Sequence, residues 1–214
     1  MIRFVSLFFI FPFLFLGCDN AYYNTMEKFG YHKRDLLVDR VEDTRDAQND
    51  AKVQFESALE EFSAVTDFSG GKLEDKYKKL KTELERSEVK TRTLRKHISD
   101  VESVSDALFK EWESELSQYN NNTLLEASKL QLQQTRHQYT QLIDAMKRAE
   151  AKIEPVLSVF RDQVLYLKHN LNSQAIASLQ YEFDSVKTDV GLLIKEMESS
   201  IAEADAFIEA MAKE

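Results

Sequence analysis

Over most of this chain the apolar residues recur at intervals that alternate four and three. The first such line is Leu37, Val41, Thr44, Gln48, Ala51, Phe55, Ala58, Phe62, Val65, in which only Thr44 and Gln48 are polar. A half-buried strand needs a period of two, whereas a repeat averaging 3.5 residues keeps one stripe of a helix facing a partner along its whole length. Phe68-Ser69-Gly70-Gly71 interrupts the line, because two adjacent glycines favour a turn.

Three more lines follow. The second runs from Leu73 through Leu80, Leu94 and Leu108 to Trp112 and stops before Asn120-Asn121-Asn122-Thr123, where Asn122 or Thr123 suits the cap of the next helix. The third extends from Ser128 through Leu142 and Phe160 to Leu167. Pro155 lies inside it and removes one N–H donor, so the reading is a kink with the register kept. After Asn170-Leu171-Asn172-Ser173 the fourth line runs from Ile176 through Leu193 to Met211. The expected fold is all-α: an elongated antiparallel up-down bundle of about four long helices with coiled-coil-like heptad seams, over about 25–67, 72–119, 123–169 and 173–213. At 1.5 Å per residue this is a rod about 60 to 70 Å long. Asn24 and Glu27 are spaced as a capping box for the first helix.

Charge supports the first hairpin. Between Glu42 and Asp67 the first helix is strongly acidic, and between Lys72 and Lys96 the second carries ten basic residues against five acidic ones. A turn at Gly70-Gly71 sets these stretches side by side. The same seams also suit self-association. The surplus of acid, a formal net charge of -9, argues against nucleic acid as a partner.

Ahead of the helices, Arg3 is the one charge in an apolar run that ends at Gly17. This is a signal-peptide pattern (1–17), too short for a spanning helix of about 20 residues. The next residues, Gly17-Cys18, resemble a bacterial lipobox, which implies cleavage before Cys18 and its acylation, with 18–24 as the lipidated tether. Cys18 is the only cysteine, so neither a disulfide nor a haem site is available to it. Asp19 resembles the acidic sorting signal of enterobacterial lipoproteins, which implies the inner membrane, periplasmic face; the inner leaflet of the outer membrane is the alternative.

Candidate sites lie at the two ends. Lys28, His32, Lys33 and Arg34, near the anchor, are candidates for contact with anionic headgroups. Phe68, His169 and Leu171 fall on the two turns at the opposite end and are candidates for a partner contact. The residues three before His32, His97, His137 and His169 are Phe29, Leu94, Gln134 and Tyr166, so the Glu-x-x-His pattern of a di-metal bundle is absent. No Gly-x-Ser-x-Gly elbow or phosphate loop occurs either. No cofactor, metal or catalysis is expected.

Several stretches resemble an uncharacterised family of proteobacterial envelope proteins, catalogued only as a domain of unknown function. They are Tyr22-Tyr23, Met26 to Asp35, Leu37 to Asp43, Ala107 to Phe109 with Trp112-Glu113, Lys147 to Lys152 with Glu154 to Leu157, Asp162 to Asn172, and Ser200 to Ile208. The resemblance implies a helical envelope lipoprotein and carries over no activity or ligand. The expected function is a membrane-anchored structural or interaction module, an adaptor or spacer that binds an unidentified envelope protein. The alternative is a membrane-stress protein whose amphipathic helices contact the bilayer.

Overall fold

The structure is a computed structural model that describes residues 32–68, 70 and 72–213. Four α-helices account for nearly all of them: α1 (Lys33–Thr66), α2 (Leu73–Glu115), α3 (Asn122–His169) and α4 (Ser173–Lys213), with a 3-10 turn at Leu116–Gln118. No strand occurs among the described residues. The helices pack in a ring, α1 on α2, α2 on α3, α3 on α4 and α4 on α1, as an up-down bundle requires. They are unequal: α1 spans about 51 Å and α3 about 72 Å at the standard rise.

The four-three lines are the buried stripes. Every member of the first, Leu37 to Val65, is buried, Thr44 and Gln48 included. In the others the interior positions are buried and only a few members, such as Tyr77, Trp112, Ser128 and Gln163, are partly exposed. Phe62 sits where α1, α3 and α4 converge, with its ring centroid 6.1 Å from that of Phe160 and 5.9 Å from that of Phe183.

Ion pairs record the antiparallel register. From Asp50–Lys90 to Glu61–Lys79, α1 advances as α2 recedes. Arg45–Asp205 and Lys52–Glu198 do the same for α1 and α4, and Glu88–Arg161, Arg95–Glu154, Lys147–Glu102 and Glu113–Arg136 for α2 and α3. The acid-to-base match expected across the first hairpin is thus carried by two pairs. Arg95, on the opposite flank of α2, reaches α3, and Lys78, Lys81 and Lys96 pair within their own helix.

Helix boundaries differ from expectation at the end of α2 and the cap of α3, and the expected start of α1 lies outside the described residues. α1 starts at Lys33, after His32 in extended conformation (φ -75°, ψ 144°); the expected start near residue 25 and its capping box lie outside the described residues. α2 ends at Glu115 and its last expected turn tightens into 3-10 geometry. The cap of α3 is Asn121, whose Oδ1 accepts from the amides of Thr123 (2.9 Å) and Leu124 (3.2 Å). Of the three asparagines only Asn121 combines extended backbone with that reach, and Asn122 is already helical. Asn172 serves α4 similarly, accepting from Ala175 N at 3.0 Å. α3 is unbroken across Pro155.

One polar step interrupts the apolar interior. Gln48 Nε2 donates to Ser200 Oγ at 2.8 Å, and both residues are fully buried. The hydroxyls of Thr44, Ser87 and Thr91 are satisfied by carbonyls one turn back in their own helices. Gln48 Oε1 is buried with no hydrogen-bond partner.

Two outcomes follow for equilibrium unfolding in urea. Phe62→Ala is expected to cost about 3–5 kcal/mol, because the cavity opens against two other rings in the dry interior. Ser200→Ala alone leaves the Gln48 amide unsatisfied and is expected to cost about 1–3 kcal/mol, which Gln48→Leu in the same chain recovers. A double variant no more stable than Ser200→Ala would show that the pair contributes net stability.

Candidate functional site

The bundle has two different ends, and the sequence-derived candidates divide between them. At the near end the chain enters at His32, which is exposed. Lys33 is 1% exposed, and its Nζ lies 2.8 Å from Glu111 Oε1 on α2. The Arg34 guanidinium is half-buried and donates to the Met211 carbonyl in the last turn of α4. Of the proposed headgroup contacts, therefore, Lys33 is turned inward, Arg34 ties α1 to α4, and His32 remains on the surface. Lys28, Cys18 and Asp19 lie outside the described residues.

Beside this entry point α2 and α3 continue outward as a hairpin. Trp112 Nε1 donates to Ser128 Oγ at 2.8 Å, and Arg136 bonds Glu113 at 2.6 Å while its guanidinium stands 5.0 Å above the Phe109 ring. Phe109 in turn meets Tyr139 edge-on at 5.4 Å. Hydrogen bonding to Arg136 holds the Glu113 carboxyl below its ordinary range. Burial raises the Tyr139 phenol, so it stays neutral. The sequence marks Met211, Trp112 and Tyr139 as seam positions and Phe109 with Trp112-Glu113 as part of the family resemblance, and assigns none of them, nor Glu111, a contact role. Their contacts depend on register, with α1 brought opposite Glu111 and Met211 and α3 opposite the aromatic group.

At the far end the two turns meet as the up-down topology demands. Gln180 Nε2 on α4 donates to the Thr66 carbonyl at the close of α1 (2.7 Å). Phe68 is half-buried against the core, whereas His169 is exposed and Leu171 is 42% exposed. The three expected tip residues thus lie at one end, with only His169 and Leu171 presented outward.

Along the sides, α1 and α2 form a shallow groove lined by Asp43, Asp46, Asp50, Lys90, Thr93 and His97. Its carboxylates do not converge on an open point. Asp50 is held by Lys90 at 2.6 Å, Asp43 by Arg40 at 2.9 Å and Asp46 by Arg45 at 2.9 Å. Among the described residues no group of three or more His, Cys, Asp or Glu side chains is placed to hold a metal. On the α2–α3 flank Arg161 bridges Glu88 (2.7 Å) and Glu154 (2.5 Å), and Arg95 bridges Glu150 and Glu154. Hydrogen bonding to Arg161 lowers the Glu154 carboxyl. A carboxyl depressed by folding stabilises above its unfolded value and loses that contribution as pH falls through the folded one. For so exposed a group the effect is small. Among the described residues no helix is long and apolar enough to cross a membrane.

The buried end of Lys33 sets a measurable contrast. Glu111→Gln is expected to destabilise by more than 1 kcal/mol, roughly, because it weakens the pairing of an ammonium withdrawn from water. Glu113→Gln, at an exposed pair, is expected to cost about 0.2–1 kcal/mol and to lose even that in high salt. Urea unfolding of the two variants at low and high ionic strength checks both.

No curated protein and no solved structure matches this chain. A family model does match, over residues 22–211, so its span begins ahead of α1 and ends with the last turn of α4. The chain belongs to the family described as "Protein of unknown function (DUF2959)".

Proposed function

We propose that this protein is a lipid-anchored rod of the bacterial envelope, facing the periplasm and working through protein contacts at its far end. One observation carries the reading: the single cysteine, Cys18, directly follows an apolar leader and stands 15 positions before Lys33, where the chain enters the bundle. Acyl chains on that thiol would hold the near end against a bilayer, and a second and third chain make such anchoring stable. The far turns would then stand about 50 to 70 Å away, the length of the helices. Asp19 favours the inner membrane by resemblance; the outer membrane's inner leaflet is the other candidate. His169 and Leu171 are the contact residues this reading assigns to the tip. Support for this reading over a bilayer-active one comes from the apolar stripes, which are spent on one another and would reach lipid only if the bundle opened.

Mass spectrometry of the protein from its own envelope is expected to find Cys18 at the N-terminus with acyl groups attached; a retained leader or a bare thiol would overturn the anchor. Photo-crosslinking in intact cells is then expected to join the tip to a defined envelope protein. His169→Ala with Leu171→Ser should abolish that product, and an unchanged product would sink the adaptor role. Phe68 is left intact because it packs against the core.

A further inference from the structure

At the near end the first turn of α1 and the last turn of α4 stand at the level of Glu111 on α2, as the Lys33–Glu111 and Arg34–Met211 contacts show. α2 and its 3-10 turn continue from there to Gln118, about 12 Å by the standard rises. The turn between α2 and α3 is therefore the leading surface of the described residues at this end. It is also uncharged. Between Glu115 and Glu126 no Asp, Glu, Lys or Arg occurs, in a chain of which 30% is charged. Tyr119 is 41% and Leu124 55% exposed, and between them stand the exposed amides of Asn120, Asn121 and Asn122.

We infer that this turn is a second membrane contact, seated in the headgroup layer of the bilayer that holds the anchor, which rests on the reading of Cys18. Three observations select a bilayer as the occupant. The chain enters the bundle at this end, so with acyl chains on Cys18 the turn is what the rod brings first to the lipid. A protein of net charge -9 is repelled by anionic headgroups wherever its carboxylates lead, and here it leads with an uncharged stretch. Tyr119 and Leu124 beside carboxamides combine an apolar body with hydrogen-bonding groups, the mixture suited to the boundary between headgroup and acyl chain. Lys33 and Arg34, the described basic residues at the entry point, are engaged within the bundle and do not supply this contact. One Leu and one Tyr are too little to hold the protein without acyl chains. What they add is orientation: the rod stands on its near end and keeps the far turns off the surface.

The test uses the acylated protein in phosphatidylethanolamine–phosphatidylglycerol vesicles carrying a doxyl-labelled lipid. Acylation occupies the one native thiol, so a fluorophore can be placed through Asn120→Cys alone. Doxyl lipid is expected to quench that label about twofold, at the roughly 5–10 Å depth of an interfacial segment. A label at Leu171→Cys, on the far turn, should be unaffected. Tyr119→Asp with Leu124→Asp, both on the surface, should abolish the quenching at position 120 while helical circular dichroism and vesicle flotation stay unchanged. Quenching that survives the Asp pair overturns the inference, as does equal quenching at the two ends. An unquenched label on floating protein does so too, even with blue-shifted emission, since a second copy would then be the cover. Protein that does not float removes the anchor itself, and this contact with it.

Discussion

The structure depends on four apolar stripes being withdrawn from water at the same time. None of the helices has an internal reason to persist alone, since helix nucleation is costly and the outward faces are rich in charge. Each stripe is covered only when its two neighbours are in place, which is why α1 contacts both α2 and α4 and α3 contacts the same two. The packing is shared, so loss of any one stripe is felt around the ring. The convergence of Phe62, Phe160 and Phe183 from three helices is the most concentrated instance.

Apolar stripes of this kind leave sliding by a heptad nearly free, and other features set the register. The Gln48–Ser200 hydrogen bond is one, because a shift of α1 on α4 would bury an amide without its partner. The ion pairs along three of the interfaces are another: individually weak, they agree with one another on a single alignment. Buried polarity and surface charge thus select one bundle among several that apolar burial alone would accept.

Most of this architecture was legible in the residues, and the reason is physical. A heptad line such as Leu37 to Val65 names its own buried face, and glycine or asparagine clusters name the turns. The ends were less legible. Lys33 looks like surface from its own neighbours in sequence, yet it is buried and paired with Glu111, 78 positions away on α2. The cap of α3 is less legible because three adjacent asparagines and a threonine all suit the position by residue type, and only the extended backbone picks out Asn121. Of the candidate contact residues, the topology alone was enough to bring Phe68, His169 and Leu171 to one end, but not to tell that the phenyl ring turns inward.

The bond from Arg34 to the Met211 carbonyl has a mechanical corollary. It staples the first turn of the bundle to the last, so tension arriving from the amino-terminal side is passed at once to α4 as well as α1. A tug directed toward the opposite turns would then strain whole interfaces lengthwise, in shear, instead of peeling one helix away rung by rung.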